Sequence, residues 1–171
     1  MPKLMKKILV ALISLVSLAP SVFLVTQASA TRDPGLPNPV LTPGAVNQLV
    51  NQSNIYSTIC VSGYTKTIRP SSYYTNKIKF TQLRSGYTLR GDTNPSNYEE
   101  DHLVPLEVGG DPTSVKNLFP QPWLTTWSAG KKDRLENKIH SLVCSGAITL
   151  ATGQKVFMTN WILGYQKYVG K

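Results

Sequence analysis

Hydrophobic positions change their spacing several times along the chain, and each pattern predicts a different element. Ile8 to Val25 is an almost unbroken apolar run preceded by Lys3, Lys6 and Lys7. From Ile55, the stretch IYSTICVSGYTKTI is rich in β-branched and aromatic residues and predicts one or two short strands broken at Ser62-Gly63. After Pro70, a Ser at 71 or 72 suits an N-cap, and Tyr74 and Ile78, with Phe80 or Leu83, trace a helical stripe. Glu99 to Leu106 alternates as a strand feeding the Gly109-Gly110 turn, and a second short strand is expected near Lys116 to Phe119. Pro120 and Pro122 are expected to break regular structure. Beyond Gly130, Leu135, Ile139, Leu142 and Val143 recur at i, i+4, i+7 and i+8, the spacing of an amphipathic helix that Gly146 stops. A last helix is expected from about Gly153 to Val169, with Phe157, Trp161, Tyr165 and Tyr168 near helical spacing.

The basic start, the apolar run and the small residues of Ala28-Ser29-Ala30 together read as a secretory signal over residues 1–30, so the exported chain is expected to begin at Thr31. An uncleaved anchor is the alternative, against which Pro20 inside the run argues. Residues 31–45 hold four prolines and read as an extended linker. Residues 46–171 are then a single domain, expected to be secreted or periplasmic, monomeric, and free of the membrane once the signal is removed. Of 171 residues, 18 are Lys or Arg and 9 Asp or Glu, for a net charge of +9. That surplus favours encounter with polyanions such as nucleic acid. The hydrophobic share, 41%, supplies one packed core and excludes a disordered chain. Export also makes the two cysteines informative: Cys60 and Cys144 are expected to form one disulfide in an oxidising compartment, the alternative being two buried thiols.

The chemistry concentrates in Tyr98 to Asn117, YEEDHLVPLEVGGDPTSVKN. Asp101 and His102 are adjacent at a strand end, Pro105 and Gly109-Gly110 shape the turn after them, and Asn117 precedes the second strand. A carboxylate suits a hard divalent ion, and an imidazole takes a proton at neutral pH. Asp101-His102-x-x-Pro105-x-x-x-Gly109-Gly110, followed by Asn117-Leu118 and a helix, resembles the HNH endonuclease motif. The resemblance implies an α+β fold with a ββα-metal core over residues 98–143, with flanking helices and short strands. It implies that His102 is the general base, Asp101 a ligand of Mg²⁺ or Mn²⁺ (Zn²⁺ being the third option), and Asn117 the brace that orients His102.

The third HNH position normally lies on the helix, and no residue here falls at the usual distance. Asp133, Glu136, Asn137 and His140 share one face of that helix. Asn137 and His140 are the favoured metal ligands, then Glu136. The runs NLFPQ and RLE also resemble the Asn-x-x-Pro-Gln and Leu-Glu of non-specific nucleases built on the same core, a likeness that raises Glu136 and leaves Ser128, a poor ligand, at the metal position. Arg69, Lys77, Lys79, Arg84, Arg90, Lys131, Lys132 and Arg134, interleaved with Tyr and Trp, are candidates for a phosphate-tracking surface, Lys131, Lys132 and Arg134 foremost. The expected function is an exported, metal-dependent endonuclease of low sequence preference on DNA or RNA. The alternatives are a non-catalytic binding module of the periplasm or cell surface on the same fold, and a hydrolase of another phosphodiester or of a cell-wall polymer.

Overall fold

The computed structural model describes residues 33, 35–87 and 91–170. The expected signal segment and Arg90 lie outside them. The described chain is α+β: four helices, α1 (Tyr64–Ile68), α2 (Ser72–Leu83), α3 (Ala129–Cys144) and α4 (Leu150–Tyr168), surround one antiparallel pair, β1 (Tyr98–His102) and β2 (Leu118–Pro122). Among the described residues no helix is long and apolar enough to cross a membrane.

β2 passes through both prolines that were expected to end regular structure. The register places Pro120 opposite Glu100 and Pro122 opposite Tyr98. Backbone polar groups alternate sides along a strand, so residues 118, 120 and 122 turn theirs away from β1. The Leu118 carbonyl shows the direction, accepting from Thr42 Oγ1 at 3.1 Å and Gln82 Nε2 at 2.8 Å on the outer side. An N–H missing there costs no ladder bond. β1 ends at His102 rather than Leu106, because the chain then bends through Pro105 into a 3-10 turn over Leu106–Val108.

The β-branched stretch after Ile55 forms no strand. It makes a 3-10 turn over Ile55–Ser57 and then α1, entered through Gly63 at φ 85°. Ile55 and Ile59 are buried in the core. Strand propensity records fit to a pleated neighbour, and the segment has none among the described residues. α2 carries the expected Ser71 cap, whose hydroxyl accepts from Tyr74 N.

The proline-rich segment is stitched to the domain. Thr42 is buried, Gly44 N donates to Lys116 O at 2.9 Å, Trp161 Nε1 donates to Gly35 O at 2.9 Å, and Val46 bridges Gly110. Prolines hold the chain extended, leaving its remaining N–H and C=O groups free to bond across to the domain.

α3 packs on α4 through Leu135, Ile139 and Val143 against Phe157, Trp161 and Tyr165, all buried. Gly153 permits that approach, since a Cβ there would lie 2.9 Å from Val143 Cγ2. α4 breaks at Asn160 (φ −170°, ψ 101°), whose Oδ1 accepts from Ile162 N and Leu163 N and so caps the second half of the helix. Cys60 and Cys144 form a disulfide with Cα atoms 5.6 Å apart, tying the end of α3 to the segment before α1.

Candidate active site

β1, the loop after it and the first two turns of α3 bring the chemistry-bearing residues together. His102 closes β1 and is 4% exposed. Its Nε2 lies 2.9 Å from Pro112 O. A carbonyl only accepts, so Nε2 carries the hydrogen and Nδ1 the lone pair. Burial pushes the imidazole below its ordinary pKa against the opposing pull of the Pro112 bond, which keeps the ring neutral at pH 7.

Asn117 holds the loop that supplies Pro112. It is fully buried; its Nδ2 donates to Val104 O at 3.0 Å and Asp111 O at 2.9 Å, and its Oδ1 accepts from Val104 N at 2.9 Å and Ala45 N at 3.3 Å. Asn117 therefore reaches His102 through the loop backbone, one residue from Pro112, rather than by a bond to the imidazole. Gly110 is required by the same closure: a Cβ there would lie 1.8 Å from Val104 O.

A cleft of ≈ 440 Å³ opens on His102, lined also by Arg69, Lys79, Glu99, Glu100 and Trp123. Both carboxylate oxygens of Glu100 are buried without a hydrogen-bond partner. Burial raises this group to about 9, partly offset by Lys79, so it is a neutral acid at pH 7. Glu99 rises to about 7, through burial and then the charges of Asp101 and Asp133. Arg69, exposed at the rim, is close enough to pull on Glu99, His102, Glu107 and Asp133. The wall of the cleft thus joins two proton-holding carboxyls, a neutral imidazole and two cations suited to a phosphate.

The expected metal ligands divide. Asp101 and Glu136 converge; Asn137 and His140 turn elsewhere. Asn137 is exposed and donates to Asp133 O of its own helix at 2.8 Å. His140 points to Ile59 O at 2.9 Å. Between Asp101 and Glu136 stands the ammonium of Lys132. It donates to Asp101 Oδ2 at 2.8 Å, to His102 O at 2.6 Å and to Glu136 Oε1. Burial works against this charge, yet Asp101 and Glu136 outweigh it and hold the amine above the usual lysine range. Burial pushes Glu136 upward as well, and Lys132 opposes that shift. The two converging donors are thus already engaged by a cation, and with the other two turned away the set does not fit a divalent ion.

Lys132, expected on the nucleic-acid face, is instead fully buried. Burial follows from helical phase, because 132 lies three residues before Leu135 on the apolar stripe. Its neighbours stay outside: Lys131 Nζ stands 4.6 Å from the Trp127 ring centre, and the Arg134 guanidinium 5.7 Å from that of Tyr165. Glu99 and Glu100 were not expected at the site. Their signal was the bare density of acids around Asp101-His102, which alternation along a strand had dispersed between two faces.

Near the disulfide, the sulfurs of Cys60 and Cys144 and a ring nitrogen of His140 lie within 4.8 Å of one another, a grouping able to hold a metal. Metal ligation needs thiolates, so it offers its sulfurs only after reduction.

Comparison with protein-family models, with curated proteins and with solved structures finds no match to this chain.

Proposed function

We propose that the cleft around His102 hydrolyses phosphodiester bonds of DNA or RNA, and that the protein is an exported, HNH-like endonuclease of the ββα class working as a monomer outside the cytoplasm. The observation that carries this reading is the fixed tautomer of His102, with Nε2–H held by Pro112 O and a neutral ring facing the cleft. Nδ1 takes the proton of the attacking water as its oxygen bonds to phosphorus and the ester oxygen departs. Arg69 and Lys79 line the same cleft as cations for the phosphate. Glu99, which stands near 7, is placed to hold or return a proton to the departing oxygen. The sequence β1, Asn117-braced loop, β2, α3 supports the family resemblance, and the disulfide is consistent with an oxidising compartment.

A non-catalytic binding module is the second reading, favoured by the engagement of Asp101 and Glu136 with Lys132. Nicking of supercoiled plasmid, and cleavage of RNA, in Mg²⁺, Mn²⁺, Zn²⁺ or EDTA separates the two. Cleavage that tracks the purified protein supports the nuclease. Nucleic-acid binding with no cleavage under any of these ions leaves the binding module.

A further inference from the structure

The ammonium of Lys132 is placed as a bound ion would be. All three of its N–H groups have acceptors: Asp101 Oδ2, His102 O and Glu136 Oε1. The side chain is 0% exposed, while those of Asp101 and Glu136 retain 13% and 16%. The Phe157 ring, with its centre 5.4 Å from Nζ, closes another side. A buried charge of this kind persists only when it is paired and fully hydrogen-bonded, and here it is both. One positive charge serves two carboxylates from different elements, β1 and α3, together with the backbone carbonyl of His102. Asp101 passes the constraint onward, since its Oδ1 accepts from His102 N at 2.7 Å.

We propose that Lys132 is the site's built-in cation, occupying the position between Asp101 and Glu136 that a divalent ion would take, so that the protein binds no divalent ion there. An ion entering the pair would have to expel an ammonium from three acceptors, and the lysine stem is rooted in the first turn of α3. The ammonium offsets one charge of the acidic pair and pins the end of β1, making Lys132 a positioning residue for His102. That consequence for catalysis rests on the nuclease reading; the consequence for metal binding does not.

The test is Mn²⁺ binding to the intact, oxidised protein, followed by calorimetry and by the electron-spin signal of free Mn²⁺, with melting temperature read in parallel. The parent is expected to show no saturable binding and no Mn²⁺-dependent rise in melting temperature. K132A uncovers the two carboxylates and is expected to gain a Mn²⁺ site about tenfold or more tighter than anything in the parent, with melting temperature rising as it fills. K132R keeps a cation in place and is expected to gain none. Saturable Mn²⁺ binding by the parent that D101N and E136Q abolish overturns the proposal, and this arm decides even if K132A fails to fold. A folded K132A that binds no Mn²⁺ overturns it as well. A parent that binds no Mn²⁺ and cleaves equally well in EDTA supports both this proposal and the nuclease; one that binds none and cleaves nothing supports the built-in cation and sinks the nuclease. Mg²⁺-dependent cleavage together with D101N-sensitive Mn²⁺ binding sinks the built-in cation and keeps the nuclease.

Discussion

The carboxamide of Asn117 and the backbone of Val104 are joined by two hydrogen bonds, Nδ2 donating to Val104 O at 3.0 Å and Oδ1 accepting from Val104 N at 2.9 Å. With the further bond to Asp111 O, this side chain closes both ends of the loop that carries Pro112 to His102.

Asn117→Ala removes four hydrogen bonds from a fully buried side chain and strands their backbone partners. A loss of stability of roughly 2–4 kcal/mol is expected in urea unfolding. Activity should fall with it, yet N117A/H102A should cleave no more slowly than H102A, because both changes act on the same imidazole. Full additivity in kcat/KM would place Asn117 in a separate role. N117D is a sharper probe, since it keeps the shape and the acceptor but loses the donor to Val104 O and Asp111 O.

Glu100 predicts a pH dependence of stability. Its native pKa stands at about 9 and the unfolded value is 4.5, so between those limits the folded chain holds a proton that the unfolded chain has lost. Stability therefore falls as pH rises through that window, by up to roughly 1.4 kcal/mol per pH unit from this one group. His102, shifted the other way, contributes stability that is lost as pH falls through its ordinary range. E100Q removes the first effect alone. Its melting temperature should gain on the parent's as pH goes from 5 to 8; a constant difference over that range would mean that Glu100 is ionised in the native protein.

The disulfide closes a loop with a sequence separation of 84, which in the chain-entropy model is worth roughly 4–5 kcal/mol. Native, unreduced protein should take up no alkylating reagent, and reduction should lower the urea midpoint sharply. Two cysteines that alkylate without reductant would remove the bridge, and with it the structural support for an exported protein.

Much of this architecture was legible in the chain. The Leu135, Ile139 and Val143 stripe locates α3, Ser71 marks the start of α2, and the cysteine pair is joined as export suggests. Asp101, His102 and Asn117 do gather around one loop. What escaped was phase and partnership. The prolines of β2 read as breakers because a sequence does not say which strand edge is unpaired. The strand-like stretch after Ile55 turned helical because β propensity needs a neighbour. Lys132 was misplaced because one of two adjacent lysines is indistinguishable by composition from the other; only by extending the apolar stripe back by three residues does 132, and not 131, fall on the inward face. The carboxyls of Glu99 and Glu100 acquire their raised pKa values chiefly from burial, which no local pattern encodes.

The central claim, that His102 is the base of a phosphodiesterase, is tested most directly by comparing H102A with the parent in plasmid nicking across pH, under Mg²⁺, Mn²⁺ and EDTA. The parent rate should rise with pH along an acid limb whose midpoint lies below 6.5, as the lowered pKa of the imidazole requires. H102A should lose about two to four orders of magnitude in rate, the usual contribution of a positioned base, with that acid limb gone while the fold is kept by circular dichroism. An H102A protein that cleaves at the parent's rate under every ion tried, with the same acid limb, would contradict the account.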